Sequence, residues 1–341
     1  MHIPDGYLSP STCAVMYTAS TPFWYVALKR VKAKLHTKLI PRLALFAAFS
    51  FVLMMFNVPL PGGTSGHATG VGLATVVLGP WAGMLALSTA LLIQALFFGD
   101  GGITAFGANA FNMAIAGCLV TYLFYRLFSR ILGDRSWAQP VAAGLAAYIA
   151  INCSALLAAV EFGIQPIFFK DAAGHPLYAP FPLAVTIPAM LIGHLTFAGL
   201  AELVITGGVV AYLKRTSPAL IAANTASFRW KPVLAALALL IVLTPLGLLT
   251  AGRAFGEWSA RDFQNPDART KIQQASGGAP APKQAPAGLK RLESLWTAPL
   301  HDYSPGFISN PSIGYVVSAV AGVALLAFVI LAFGALLARR S

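Results

Sequence analysis

Apolar stretches recur along nearly the whole chain, most of about 17 to 25 residues and so long enough to cross a hydrocarbon layer of roughly 30 Å as a helix. The runs predict spans at about 10–29, 40–57, 68–79, 80–98, 104–128, 138–162, 182–213, 233–252 and 313–338. They do not alternate with period two, so barrel strands are excluded. Runs three and four meet at Gly79-Pro80, where the missing amide of proline predicts a sharp turn between two spans; a single kinked span is the alternative and would invert everything downstream.

Charge decides between them. With nine crossings and the N-terminus outside, fifteen of the 23 Lys and Arg fall on inner segments: 29–42, 126–135, 214–231 and 339–340. Seven of the rest lie in the segment of about sixty residues between Gly252 and Ser312, and long translocated segments escape the positive-inside rule. The expected fold is therefore an all-α polytopic integral membrane helix bundle of about nine spans, N-terminus outside and C-terminus inside. Composition agrees, with 57% hydrophobic and 10% charged residues against roughly 25% charged in soluble domains. A multi-pass protein of a bacterial or archaeal plasma membrane follows, with membrane lipid as a partner. The net charge of +12 follows the membrane faces, and no basic stripe with interleaved aromatics marks a nucleic-acid partner.

Two composition breaks organise the chain. "KRTSPALIAANTASFRWK" at 214–231 is polar and basic, and divides a bundle at 1–217, through a cytoplasmic linker at 218–232, from a two-span module at 233–341. "ASGGAPAPKQAPAG" at 275–288 reads as a flexible extracytoplasmic tether. No repeat is evident, which argues against a secondary carrier. The three cysteines are spread through apolar runs and read as packing residues.

The first ten residues, "MHIPDGYLSP", lack the basic n-region, apolar core and cleavage site of a signal peptide, so Met1 is expected to be the mature N-terminus. The Met1 amine, the His2 amide nitrogen and His2 Nδ1 can close a five- and a six-membered chelate ring in one plane. Displacing an amide proton near neutral pH needs an ion that gains strongly from planar nitrogen ligation, which points to Ni(II) or Cu(II) and away from tetrahedral zinc. A fourth ligand is needed. His36 falls on the inner face; His67, in the glycine-rich outer loop "PLPGGTSGHATG", is the first choice. Asn109 and Asn112, at i and i+3, could orient a ligating imidazole. His194 and Glu202, eight residues apart within one run, form a candidate coupling pair. His175 and His301 read as surface histidines.

No G-x-x-x-x-G-K-[ST], H-E-x-x-H or G-x-S-x-G occurs, so neither ATP binding through a P-loop nor proteolysis is indicated, and the chain is not read as an enzyme. A membrane redox or sensor protein would need facing intramembrane histidine pairs, and only His194 lies within a span.

"MHIPDGYLSP", "GTSGHATG", "FGANAFNMAIAG" and "GHLTFAGLAELVITGGVVAYL", in that order over residues 1 to about 215, resemble the substrate-binding membrane component of cobalt and nickel energy-coupling-factor transporters. "GLKRLESLWTAPLHDYSPGF" followed by "GYVVSAVAGVALL" resembles the two-span small subunit of the same systems, fused here; its "PDGLE" run is not present. The resemblance implies a transmembrane coupling protein and cytoplasmic ATPase subunits as partners, and a metal held by Met1, His2 and His67. "MHIPDG" is closer to the nickel branch than to the cobalt branch, which more often begins "MHIMEG". Ni(II) is thus the expected transported substrate, with Co(II), feeding corrinoid synthesis, as the alternative.

Overall fold

A computed structural model describes residues 1–33, 39–60, 64–216, 230–250 and 252–338. The linker expected at 218–232 falls almost wholly outside the described residues, as do His36 and the basic pair at 339–340.

Among the described residues, six helices are long and apolar enough to cross a membrane: α4 (Pro80–Phe98), α5 (Phe106–Leu132), α6 (Ala138–Phe168), α7 (Leu183–Thr216), α8 (Trp230–Leu249) and α11 (Pro311–Leu336). Before them come α1 (Pro10–Lys32), α2 (Leu39–Met54) and the short α3 (Val71–Leu78). Two further short helices, α9 (Pro266–Ala275) and α10 (Ala287–Leu292), lie between α8 and α11. A two-stranded hairpin, β1 (Val58–Leu60) and β2 (Thr64–Gly66), pairs Val58 with Gly66 and Leu60 with Thr64. The protein is an all-α bundle, as the apolar runs predict.

The third run is where expectation and structure part. Helix α3 has eight residues, about 12 Å of rise, so it cannot cross a bilayer alone. The chain reaches it as extended backbone, and Gly70, at φ 70°, turns that backbone into the helix. Non-helical backbone at such depth requires internal partners, and Glu202 of α7 supplies them. Its carboxylate accepts from the amides of Thr69 (2.7 Å), Gly70 (3.0 Å) and Gly72 (3.2 Å), the donors that a helix N-terminus leaves orphaned. Small residues let α3 sit this deep: a Cβ added at Gly72 would strike Ala147 and Thr206.

Helix α6 is the hub, its buried face built from Ala142, Ala143, Ala146, Ala147, Ala150 and Ser154. Opposite it, a Cβ on Gly144 would lie 2.8 Å from the Leu203 carbonyl, so backbone contact rather than bulky interdigitation joins α6 to α7. Gly79, at φ 81°, turns α3 into α4, with Pro80 at the first helical position. At this end Arg30 lies 4.8 Å over the Trp81 ring and Lys214 donates to the Ser136 carbonyl. The opposite end carries Met1.

Residues 275–288, expected as a flexible tether, belong instead to an ordered segment at 252–310. It folds as short helices and turns docked on the Met1 end. Gly288 N donates to the Leu177 carbonyl (2.7 Å), Trp296 Nε1 to Leu96 (2.9 Å) and Leu300 N to Phe97 (2.8 Å). Buried aromatic residues anchor the segment, since Phe255 and Trp258 pack edge to face at 5.1 Å and Phe255 meets Phe181 and Phe162.

Candidate metal centre

The opening decapeptide is an arm folded into the mouth of the bundle, and each polar residue in it is held. Asn109 clamps Ile3 on both sides, accepting from its amide at 2.8 Å and donating to its carbonyl at 3.0 Å, while Gly102 N donates to the same carbonyl. The Asp5 carboxylate accepts from the amides of Ile103 (3.1 Å) and Thr104 (2.7 Å) and from the Thr104 hydroxyl. Gly6, at φ 88°, makes the turn, with Leu289 packed where a Cβ would stand. Tyr7 OH donates to the Trp258 carbonyl, and Ser9 caps α1 by accepting from Thr12 N at 3.1 Å. Such density of backbone contacts fixes where the first two residues lie.

Met1 and His2 are 3% and 2% exposed, and His67 is 4% exposed. The His2 and His67 rings stack at 4.9 Å between centroids, 28° from parallel. Met1, His2 and His67, nominated from opposite ends of a 66-residue separation, are thus brought together. His67 Nδ1 lies 3.1 Å from the Ala68 carbonyl, so it carries the proton and leaves Nε2 as a bare lone pair. Buried His67 Nε2 and His2 Nε2 have no hydrogen-bond partner among the described residues. Two orphaned imidazole nitrogens side by side are unusual in a folded protein. Burial, and then the neighbouring His2 and Met1 amine, push His67 well below the usual histidine range, which keeps it neutral and ready to ligate.

The His2 ring departs from the expected chelate. Its Nδ1 lies 2.5 Å from Asp100 Oδ1 and is engaged there. The planar chelate needs that same atom, so loading calls for Nδ1 to part from Asp100. Burial would raise Asp100, but the charge of and hydrogen bond to His2 outweigh it and hold the carboxylate well below its usual range. Asp100 Oδ2 accepts from Tyr303 OH at 2.6 Å and from Gln94 Nε2 at 3.2 Å. The Met1 amine is 3.7 Å from Glu257 Oε1, a loose ion pair. Burial raises Glu257, and the amine only partly offsets this.

The remaining nominated residues lie elsewhere or act differently. Asn109 holds the arm's backbone and no imidazole. Asn112 donates to Glu161 Oε2 at 2.8 Å; the π-helical stretch Ala110–Ala116 widens the turn there and removes the face that i and i+3 would share with Asn109. His194 starts another π stretch, His194–Ala198, its Nδ1 2.7 Å from the Met190 carbonyl. It forms no hydrogen bond with Glu202, which caps α3 instead. Among the described residues no three His, Cys, Asp or Glu side chains gather in metal-binding geometry.

Sequence reasoning missed Asp100, Gln94, Glu257 and Tyr303. Asp100 carried a signal, a lone acid in "FFGDGG" closing an apolar run. Glu257 and Tyr303 reach the site from more than 200 positions away, which no local pattern reveals.

Residues 2–220 match the family described as "Cobalt uptake substrate-specific transmembrane region", and residues 229–339 match the PDGLE domain, although those five letters do not occur here. The chain belongs to the cobalt-uptake transmembrane family. Within it, the chain is 54% identical over 329 residues to the fused nickel transport protein NikMN of Rhodobacter capsulatus, covering 96% of this chain and 95% of that one. It is 42% identical over 328 residues to the probable fused nickel transport protein LarMN of Lactiplantibacillus plantarum, covering 95% and 94%. A crystallised truncated transition metal transporter superimposes with a TM-score of 0.60 at 50% identity, over 63% of this chain and 99% of its own. Family membership makes this a multi-pass membrane transport protein.

Glu202 gives a prediction independent of metal. Glu202→Ala leaves three buried amides at the start of α3 without an acceptor, at about 1–3 kcal/mol for the unsatisfied donors. Thermal unfolding in detergent is expected at a clearly lower midpoint, whereas Thr196→Ala, on the exposed face of the same helix, leaves it within error.

Proposed function

We propose that this chain captures Ni(II) from the outer face and passes it inward as the substrate-binding component of an ATP-driven energy-coupling-factor transporter. The supporting observation is the burial of the Met1 amine, His2 and His67 in one pocket, with ring nitrogens left without protein partners. In this reading the amine, the His2 amide nitrogen, His2 Nδ1 and His67 Nε2 complete a plane of four nitrogens. The His2 amide proton leaves on loading, and any proton on the amine leaves with it. Relatives that are fused nickel transport proteins, aligned over nearly the whole chain, favour nickel. Co(II) is the second reading, favoured by the family's description.

The nine-pass topology with the N-terminus outside belongs to this proposal, as do the bundle at 1–217, the cytoplasmic linker at 218–232 and the module at 233–341. Residues 68–70 and α3 together make the third pass, read at about 68–79. A transmembrane coupling protein and cytoplasmic ATPase subunits supply the hydrolysis for which this chain has no P-loop. The membrane-embedded chain contributes the chemistry of capture: it desolvates the ion, replaces water by fixed nitrogens, and releases cargo when the arm and the His67 loop separate.

The test is the spectrum of the untagged, nickel-loaded protein. Low-spin square-planar Ni(II) is yellow and diamagnetic; a paramagnetic, octahedral spectrum sinks the planar site, and titration with both ions separates nickel from cobalt. Acid releases the ion, because a protonated amine or imidazole has no lone pair. Imidazoles ordinarily titrate at about 6.5, so release is expected below about pH 6; burial lowers His67 and works against release through that ligand. Equilibrium dialysis across pH 5 to 8 checks it.

A further inference from the structure

The docked segment reaches the metal end through Glu257, 3.7 Å from the Met1 amine, and through Tyr303, which bears on the His2 ring by way of Asp100. Asp100 lies between the His2 ring and Tyr303, and its two oxygens divide the work: Oδ1 faces His2 Nδ1 at 2.5 Å, and Oδ2 is held by Tyr303 OH at 2.6 Å and Gln94 Nε2 at 3.2 Å. Gln94 Nε2 also donates to Tyr303 OH at 2.9 Å, closing a three-membered network. Burial and the adjacent Asp100 keep the phenol protonated, so Tyr303 is the donor to the carboxylate.

Tyr303 is unusually well fixed for a loop residue. Its ring stacks on Phe98 at 5.0 Å and meets Phe51 and Tyr315 edge-on. Its carbonyl accepts from Ser318 Oγ of α11 at 2.9 Å. Asp302 and Tyr303 both hold left-handed backbone, at φ 53° and 56°, a conformation that costs non-glycine residues energy and persists only where surroundings enforce it. The C-terminal module therefore spends packing and strain to put one hydroxyl on Asp100.

We propose that Asp100, braced by Tyr303, is the positioning residue that sets which edge of the His2 imidazole faces the metal, making the C-terminal module a determinant of metal retention. This rests on the nickel-site reading above and deepens it. In the described state Asp100 takes Nδ1 and leaves Nε2 unpartnered. A half-turn about Cβ–Cγ exchanges Nδ1 with Cδ2 and Nε2 with Cε1. Nδ1 gives up its proton to join the chelate and Nε2 takes one up, so the ring stays neutral and presents an N–H to the side that Asp100 occupies. One carboxylate thus serves both states: it latches the empty ring, then accepts from the loaded one, as carboxylates behind metal-bound histidines do. Tyr303 and Gln94 hold Oδ2, so Oδ1 cannot turn away during the exchange. The module is covalently joined to the bundle here, and its hydroxyl is in place before any ion arrives.

The test uses the full-length, untagged protein. Nitrogen-15 NMR of labelled imidazoles in the metal-free wild type is expected to show His2 as the Nδ1–H tautomer; an Nε2–H tautomer overturns the proposal without any variant. Asp100→Asn is expected to weaken nickel binding about 10- to 100-fold by calorimetry, and Tyr303→Phe, which keeps the ring stacking, by a smaller factor. Both are expected to lose the tautomer preference with little change in melting temperature. Wild-type affinity and an unchanged His2 tautomer in both variants refute the positioning role while leaving the nickel site intact. Equal nickel binding by wild type and His2→Ala removes the site itself.

Discussion

His2→Ala is expected to abolish stoichiometric nickel binding, with an affinity loss of about 10³-fold or more, roughly 4 kcal/mol. The change removes the imidazole donor and opens the six-membered ring that makes displacement of the amide proton favourable. The amine and the His2 amide nitrogen remain, but a five-membered chelate alone does not compensate for deprotonating a peptide nitrogen near neutral pH. His67→Ala is the milder partner, since one monodentate ligand is lost and water can take its place. Calorimetry on the two variants orders them, and a smaller loss for His2→Ala than for His67→Ala contradicts the chelate. The arm itself survives the substitution, because Asn109, Asp5 and Gly102 hold residues 3 to 5 through backbone and side-chain contacts that do not involve the imidazole. A fold check by circular dichroism is therefore expected to be unchanged.

What was legible in the sequence divides along physical lines. The long helices follow from the lengths of the apolar runs, because a bilayer demands about twenty residues whatever they pack against. The pairing of His2 with His67 was approachable because chelate geometry demands a further nitrogen and the glycine-rich loop offered one. The helix Val71–Leu78 and its turn at Gly79-Pro80 were legible in the run at 68–79 and the missing proline amide, but the extended entry into that helix was not, because Glu202, which caps it, lies 130 positions later. The π stretches at Gln94, Ala110 and His194 likewise leave no mark in hydrophobic periodicity, yet the one at Ala110 parts Asn112 from the face that regular spacing would share with Asn109. The docked segment misled for another reason. Alanine, proline and glycine at 275–288 signal low intrinsic order, but Trp258, Phe255, Leu289 and Tyr303 on either side are buried and pin it.

Those same buried contacts decide what happens when the chain start is altered. Adding one glycine before Met1 is expected to lower nickel affinity almost as far as His2→Ala, although every native side chain survives. The Met1 nitrogen becomes an amide and loses its basic lone pair. The new amine has no place in the pocket, since Met1 is 3% exposed and backed by Glu257 at 3.7 Å. The extended sequence does carry a chemical alternative: with histidine now third, amine, two amides and Nδ1 can close three fused rings around a flat ion without any residue from the bundle. That arrangement requires the arm to leave its clamp on Asn109, and it makes no use of His67. His67→Ala in the extended protein separates the two outcomes. Residual nickel binding that is indifferent to His67 belongs to a loosened arm, whereas undiminished binding that still depends on His67 shows that the amine was never a ligand.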